Sequence, residues 1–151
     1  MPNLAIGVGK GMTAIAEDGS MAPAEVAWIE RLFGAGGKSV HLPEAMMDAF
    51  TAVAGSGPAY LFYLAEALER GAIGIGFDRE VAREIVRQTL VGAAALLERG
   101  GEDPAALRAA VTSKGGTTNA ACTTLDSAGV MEAFEGALRA ARDRGAELSK
   151  M

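Results

Sequence analysis

The residues from which proteins build metal sites and disulfides are almost absent from this sequence. Its 151 residues include one cysteine, Cys122, and one histidine, His41. A single cysteine cannot form an internal disulfide, and no cluster of Cys, His, Asp and Glu stands at metal-ligand spacing. We therefore expect no metal site and no disulfide framework, and the reducing cytoplasm is the simplest location.

Positive charge and long apolar runs are also scarce. There are 14 lysines and arginines against 19 acidic residues, a formal net charge of −5, so no large positive field exists to attract nucleic acid or anionic lipid. The longest charge-free stretch, residues 49–65, contains Gly55, Gly57 and Pro58 and is too short and too broken to span a bilayer. The first 16 residues lack the basic start and apolar run of a targeting peptide. We expect neither nucleic acid nor membrane as a partner.

What the sequence does have is a large apolar fraction, 50% of its residues, which is enough for a core. Residues 11–16 and 38–42 are short and favour strands, and residues 24–33 between them place apolar side chains at helical spacing. Two short strands cannot stand alone, because they need a wider sheet to bury against. This pattern indicates that residues 1–43 are the end of a larger α/β domain.

After Pro43 the pattern predicts helices throughout. Local signals mark their ends: Asp78 and Asp103 stand at N-cap positions, Pro104 at a first helical position, and Gly100 just after a helix end. The predicted helices are residues 44–54, 58–76, 78–99, 104–112, 117–127 and 130–148. We therefore expect a mainly α fold, a helical bundle over residues 44–151 behind a short β-α-β segment.

Two of these predicted helices differ in how much of their surface is apolar. The helix over 78–99 has one apolar stripe with charged side chains opposite, which is typical of a helix with one buried face. In the helix over 58–76, the first half (YLFYLAEAL) has almost no polar side. We expect a second subunit to cover it.

Two glycine-rich segments are weak signals for nucleotide binding. Residues 34–39 (GAGGKS) end like a phosphate-binding loop, but the required upstream glycine would fall at Leu32, and a strand follows. Gly7, Gly9 and Gly11 lack the spacing, the preceding strand and the acidic residue of a dinucleotide fingerprint. We therefore expect no nucleotide-binding role for either segment, and we interpret the segment of Gly7, Gly9 and Gly11 as a turn-rich lead-in.

Two reactive side chains are also weak signals. His41 follows a strand-like valine, and we predict a surface or strand-end histidine rather than a catalytic base. Cys122 lies among alanines and threonines with no cationic neighbour in sequence, so we predict a packing role.

The segment Val111–Thr118 (VTSKGGTT) gathers two glycines and several hydroxyls between two predicted helices. Free backbone N–H groups at a helix N-terminus form a small anion site suited to a carboxylate, which Ser113, Thr117 and Thr118 could supplement. No Glu or Gln follows three residues after either threonine, so no capping box competes for these donors. On spacing alone, an ordinary capped turn is the simpler interpretation.

Two motifs resemble those of a known family. VTSKGGTT resembles the VTSPGGTT signature of pyrroline-5-carboxylate reductases, and residues 54–60 (AGSGPAY) resemble their SGSGPAY helix segment, in the same order and spacing. Met1-Pro2-Asn3 is similar to the family's MPN, and residues 71–77 (GAIGIGF) fit a turn of the family. The resemblance covers essentially the whole chain.

This resemblance implies a fold and a reaction. Residues 1–43 would be the remnant of the end of a dinucleotide-binding Rossmann domain, and residues 44–151 a helical dimerisation and substrate-binding domain. The family's bundle interlocks with a second subunit, so a homodimer is expected, and a higher oligomer stays open. The reaction is hydride transfer from NADPH or NADH to the C=N carbon of a cyclic imine carboxylate, 1-pyrroline-5-carboxylate, which gives proline.

The same resemblance assigns roles to residues. The substrate carboxylate would be held by Ser113 and by the backbone around Gly115, Gly116 and Thr117, and the Thr118 hydroxyl would hydrogen-bond the ring nitrogen. Thr118 is the catalytic candidate, although a threonine hydroxyl is too weak an acid to supply the proton itself. Asn3 would contact the nicotinamide end of the cofactor. The glycine-rich fingerprint is missing here, so we expect the chain alone to bind no cofactor tightly and to be inactive.

The sequence departs from the family pattern at two places. Lys114 stands where the signature usually has proline, and Leu4-Ala5 replaces the usual Thr-Pro after MPN. Two other functions stay open: a helical dimerisation module without catalytic duty, and a reductase of another cyclic imine. Cofactor preference and substrate ring size are not visible in the sequence.

Overall fold

A computed structural model of the chain describes residues 1–17 and 19–151. The chain forms two compact units, one of Met1–Leu61 with Phe134–Met151, and the other of Phe62–Ala133. The described residues are mostly helical, with one small sheet. The predicted fold class is confirmed. The predicted domain boundary at residue 43 does not coincide with the boundaries of these two units. It stays a prediction.

The first unit contains a parallel pair of strands joined by a helix. Strand β1 (Gly11–Ala16) pairs with β2 (Gly37–Leu42) from Gly11 opposite Gly37 to Ala16 opposite Leu42, and α1 (Pro23–Gly34) connects them. The predicted strand, helix, strand pattern is thus confirmed. Gly37 has φ +149°, and a Cβ there would collide with the backbone of Gly11, so only glycine fits where the strands begin.

The core of this unit centres on β1. Thr13, Ala14 and Ile15 are buried in the strand, and Phe50 and Ala52 are buried in the segment that follows β2. The carboxyl-terminal helix also belongs to this unit: the Ser149 hydroxyl lies 3.5 Å from the Asp48 carboxylate. Gly145 of the same helix also lies close to Asp48, because a Cβ at position 145 would be 2.9 Å from the same carboxylate oxygen.

The predicted single helix over residues 44–54 is in fact three successive helical turns of different pitch. A 3-10 turn (Glu44–Met46) leads into α2 (Met47–Phe50), which continues as a π-helical turn (Thr51–Gly55). The Ser56 N–H donates to the Thr51 carbonyl oxygen at 2.8 Å, five residues back. Regular α-helix cannot run on into the next segment, because Pro58 has no N–H to donate.

The remaining helices lie close to their predicted bounds. They are α3 (Gly57–Gly74), α4 (Arg79–Glu98), α5 (Pro104–Ala110), α6 (Thr117–Ser127) and α7 (Val130–Leu148). The unit boundaries fall inside α3 and α7. The predicted helix over 104–112 ends two residues early, because Val111 has left the helical conformation at φ −103°, ψ 8°.

Of the two predicted N-cap residues, one forms a side-chain cap bond and the other does not. Asp103 accepts a hydrogen bond from the Ala105 N–H at 2.7 Å, whereas Asp78 occupies the N-cap position of α4 without a side-chain cap bond. Gly100 and Gly101 have φ values of +75° and +95°, which suit the predicted helix end.

Helix α3 leaves much of its apolar surface exposed in the single chain. Leu61, Phe62 and Tyr63 keep 60%, 57% and 75% of their surface accessible. Within the described ranges, no helix combines the length and apolar character needed to cross a bilayer. Several large apolar side chains exposed on one helix are typical of a protein interface.

Candidate functional site

The candidate site is the loop between α5 and α6 together with the first turn of α6, all within the second unit. The loop closes on itself by a hydrogen bond from the Gly116 N–H to the Ser113 carbonyl oxygen at 3.0 Å. Gly115 adopts φ +74°, a left-handed conformation that glycine takes without steric cost. Two consecutive glycines therefore let the chain turn sharply into the helix.

Gly116 opens α6 without blocking its N-terminus. It occupies the N-cap position with φ −78° and ψ 172°, and no side-chain cap hydrogen bond forms there. The first N–H groups of a helix have no acceptor within that helix. Because Gly116 carries no side chain, the N–H groups at the start of α6 stay open to an anion.

The hydroxyls near the site fall into two groups. Those outside the predicted site donate to the backbone carbonyl four residues earlier, as hydroxyls on helices commonly do; these are Thr112, Thr123, Thr124 and Ser127, at 2.6–3.0 Å. In the part of the chain that the structure describes, Ser113, Thr117 and Thr118 form no hydrogen bond through their side chains. Three hydroxyls at one helix start are thus available to a ligand.

Lys114 brings a positive charge into the loop. Its side chain is exposed, and it has no carboxylate partner among residues 1–17 and 19–151. An ammonium group, open N–H groups and hydroxyls form a set of donors without a competing internal acceptor. Such a set is suited to a small carboxylate.

The structure brings five of the six predicted site residues together. Ser113, Gly115, Gly116, Thr117 and Thr118 follow one another along the loop and the first turn of α6. Asn3 lies in the other unit, where its side-chain amide bonds the backbone of Met12 and Ala54. A cofactor contact of Asn3 stays a prediction, as do the ligand roles of the other five.

The two glycine segments set aside in the sequence have other structural uses. Gly37 to Ser39 lie in β2, so no helix N-terminus follows the GAGGKS segment. Gly7 lies in a 3-10 turn (Leu4–Val8), Gly9 ends that turn, and Gly11 begins β1. Neither segment has the geometry of a phosphate-binding loop.

The two reactive side chains set aside in the sequence are also accounted for. His41 lies near the end of β2, with its Nε2 2.7 Å from Glu30 Oε1 and its Nδ1 3.4 Å from Glu17 Oε1. The prediction of a strand-end histidine is confirmed. Cys122 is half-buried in α6. Across the described ranges, no three His, Cys, Asp or Glu side chains come together as a metal site needs.

Sequence reasoning missed the π-helical turn of Thr51–Gly55 and the side chains that support it. The Tyr60 hydroxyl donates to the Ala52 carbonyl oxygen at 3.0 Å, and Asn3 Nδ2 donates to the Ala54 carbonyl oxygen at 2.9 Å. One signal was present: Pro58 stands four residues after Ala54 and cannot supply the N–H that a helix would offer there. The donor that replaces this N–H is Asn3 Nδ2, which is 51 residues from Ala54 in sequence.

Comparison with known proteins shows the family to which the chain belongs. Residues 44–148 match the family model described as pyrroline-5-carboxylate reductase dimerisation. Pyrroline-5-carboxylate reductase of Mycobacterium tuberculosis is 42% identical over 165 residues, which cover 98% of this chain and 56% of that protein. The reductase of a Synechocystis species is 43% identical over 150 residues, covering 99% and 56%. The chain thus spans a little over half the length of these curated relatives.

Solved structures show the same likeness. A pyrroline-5-carboxylate reductase from Coxiella burnetii has a TM-score of 0.93 at 34% identity, over 98% of this chain and 55% of that one. The Plasmodium falciparum pyrroline carboxylate reductase, solved with NADP bound, has a TM-score of 0.88 at 25% identity, over 96% and 59%.

Proposed function

Because the chain belongs to the pyrroline-5-carboxylate reductase family, we propose that it forms the helical, dimer-forming and substrate-binding part of an oxidoreductase of proline biosynthesis. The reaction is the reduction of 1-pyrroline-5-carboxylate to proline, in which the nicotinamide of NADPH or NADH supplies a hydride to the C=N carbon. The relatives are longer than this chain, and we assign dinucleotide binding to a part of the protein outside it. The isolated chain is then inactive.

One observation carries this proposal: the hydroxyls of Ser113, Thr117 and Thr118 have no hydrogen-bond acceptor within residues 1–17 and 19–151. Neighbouring hydroxyls on α5 and α6 bond their own helix. Unused donors at an open helix N-terminus favour a ligand with carboxylate oxygens. The proposed substrate carries such a group.

Each residue of the loop has a proposed role. Ser113 and the N–H groups of Gly115 and Thr117 hold the substrate carboxylate, which fixes one end of the ring. Gly116 contributes through the turn of its backbone, since its own N–H donates to the Ser113 carbonyl oxygen. The Thr118 hydroxyl hydrogen-bonds the ring nitrogen while the imine becomes an amine. Holding the ring at both ends orients the C=N carbon for hydride transfer, and orientation accounts for a large share of such rate enhancements.

Thr118 orients the nitrogen and does not supply its proton. A threonine hydroxyl is too weak an acid to be an independent proton source at neutral pH. A water molecule, or an imine that is already protonated when it binds, supplies the proton. The hydroxyl stabilises the nitrogen in the transition state through a hydrogen bond.

The proposed assembly is a homodimer in the cytoplasm. The matched family model is described as a dimerisation domain, and the exposed Leu61, Phe62 and Tyr63 of α3 supply an apolar surface that a second copy would cover. NADP in the Plasmodium falciparum structure supports NADPH as the cofactor. The choice between NADPH and NADH depends on residues that this chain does not supply.

A decisive test completes the chain with the nucleotide-binding part of the Mycobacterium tuberculosis relative and measures NADPH oxidation with 1-pyrroline-5-carboxylate. We expect turnover, and we expect Thr118→Ala to lower kcat/KM about 100-fold, as removal of one transition-state donor typically does. Thr118→Ser keeps the hydroxyl and retains most of the activity. Thr124→Ala is the matched control, since its hydroxyl bonds the Ala120 carbonyl in the same helix.

Three other outcomes would contradict the proposal in different ways. A folded, NADPH-binding protein without turnover on this substrate would point to another cyclic imine or to a dimerisation module. Equal losses in Thr118→Ala and Thr124→Ala would indicate damage to α6 rather than loss of a substrate contact. Turnover by the isolated chain would overturn the assignment of dinucleotide binding to another part of the protein.

A further inference from the structure

The π-helical turn of Thr51–Gly55 leaves two backbone carbonyl oxygens without their α-helical donors, and the side chains of Asn3 and Tyr60 donate hydrogen bonds to them. In an α-helix the Ala54 carbonyl would bond the N–H of residue 58, but that residue is proline and has none. The Ala52 carbonyl would accept the Ser56 N–H in an α-helix, but this N–H donates to the Thr51 carbonyl oxygen instead, at 2.8 Å. Both carbonyls lie in a part-buried segment, where an unpaired carbonyl is costly.

Asn3 satisfies the first of these carbonyls. Its Nδ2 donates to the Ala54 carbonyl oxygen at 2.9 Å, while its Oδ1 accepts the Met12 N–H at 3.1 Å. These two bonds fix the orientation of the amide. If the amide were flipped, its NH2 group would face the Met12 N–H and its oxygen would face the Ala54 carbonyl oxygen, so neither bond could form. Tyr60 satisfies the second carbonyl with its hydroxyl, at 3.0 Å from the Ala52 oxygen.

The main chain of Asn3 is committed as well. Its N–H donates to the Met12 carbonyl at 3.1 Å, and its carbonyl accepts the Ile6 N–H at 3.2 Å. The half-buried residue thus joins β1, the 3-10 turn and the π-helical turn at one point. It connects residues on the amino-terminal side of the predicted boundary at residue 43 with the helical segment beyond it.

We infer that Asn3 is a positioning residue for the proposed reaction: it ties strand β1 to the π-helical turn ahead of α3 and does not contact the cofactor. This inference rests on the proposed function. Hydride transfer depends steeply on the distance and angle between the nicotinamide and the imine. A bond that joins the residues before position 43 to the helical segment after it restricts that geometry without touching either reactant.

Asn3→Asp is the informative variant, since it keeps an oxygen for the Met12 N–H but replaces the donor to Ala54 with an acceptor. In the isolated chain, we expect amide hydrogen exchange in peptides covering residues 51–59 to rise at least tenfold, while exchange in β1 stays within twofold. In the completed protein, we expect kcat to fall about tenfold and the Kd for NADPH, measured by fluorescence, to stay within twofold. These changes are the signature of lost positioning.

Tyr60→Phe is the matched control, because it removes the other bond to the same turn and leaves the tie to β1 in place. We expect its kcat to stay within twofold of the parent protein. A tenfold rise in the NADPH Kd of Asn3→Asp with an unchanged kcat would overturn the inference in favour of a cofactor contact. Faster exchange with unchanged kcat would overturn it in favour of a purely structural role.

Failure of the proposed function would look different from failure of this inference. A completed parent protein that binds NADPH but reduces no imine would contradict the proposed function. The exchange measurement on the isolated chain would still test whether Asn3 holds β1 to the π-helical turn, since it needs no turnover. Unchanged amide exchange in Asn3→Asp would contradict the inference, whatever the kcat of the completed variant.

Discussion

The Ser113 carbonyl oxygen accepts the Gly116 N–H at 3.0 Å, and this turn lays the Ser113 hydroxyl against the α-carbon of Gly116. A Cβ at position 116 would collide with that hydroxyl oxygen and would lie 3.2 Å from the Ser113 carbonyl oxygen. The backbone of Gly116 is extended and suits any residue. A larger residue at position 116 would therefore displace the Ser113 hydroxyl, although the backbone there would accept it.

The first prediction follows from this contact. Gly116→Ala should displace the Ser113 hydroxyl and raise the KM for 1-pyrroline-5-carboxylate in the completed protein roughly tenfold, the effect of losing about one substrate hydrogen bond. Thermal stability should change little, because the loop is largely exposed. Gly136→Ala is a suitable control, since a Cβ there meets open space. A KM equal to that of the parent protein would contradict a role for Ser113 in binding.

The second prediction concerns the charge of Lys114. Lys114→Gln should lower kcat/KM about threefold at low ionic strength, because an unpaired ammonium attracts a carboxylate substrate, and the difference should vanish near 0.5 M salt as screening takes over. Steady-state kinetics across a salt series would measure it. Lys38→Gln in β2 changes the net charge equally and serves as the control. An equal effect of both substitutions would indicate net charge rather than a local contribution.

The third prediction compares two helix starts. Asp103→Ala should lower the free energy of unfolding by about 1 kcal/mol, because its carboxylate caps α5 through the Ala105 N–H at 2.7 Å. Asp78→Ala should cost clearly less, since Asp78 makes no side-chain cap bond. Urea denaturation followed by circular dichroism would measure both. Equal losses would mean that Asp78 caps α4 in solution.

The fourth prediction concerns assembly. Tyr63→Glu places a charge on the exposed apolar surface of α3, where Tyr63 keeps 75% of its area accessible, and should convert a dimer to monomer. Sedimentation equilibrium of the isolated chain would show the change. Trp28→Glu on α1, with 59% of Trp28 accessible, tests an exposed aromatic residue outside α3. Loss of the dimer in Trp28→Glu but not in Tyr63→Glu would place the interface on α1.

Much of the secondary structure was predictable because its signals are local. The start of α5 depends on Asp103 and Pro104, and β1 and β2 are short β-forming runs that each begin at a glycine. The site loop was predictable for the same reason, since its glycines and hydroxyls are consecutive. The split of residues 44–54 into turns of different pitch was not predicted, because helical periodicity does not distinguish four-residue from five-residue hydrogen bonding.

The order of helices, the parallel strand pair and the hydroxyl-rich loop at the start of α6 were determined by the sequence itself, through propensity, capping and spacing of neighbouring residues. Tertiary structure alone decided which distant groups become hydrogen-bond partners. The Asn3 amide donates to the Ala54 carbonyl oxygen, 51 residues away in sequence, and accepts the Met12 N–H. Hydrogen-bond partners depend on positions that only the folded backbone brings within about 3 Å of each other.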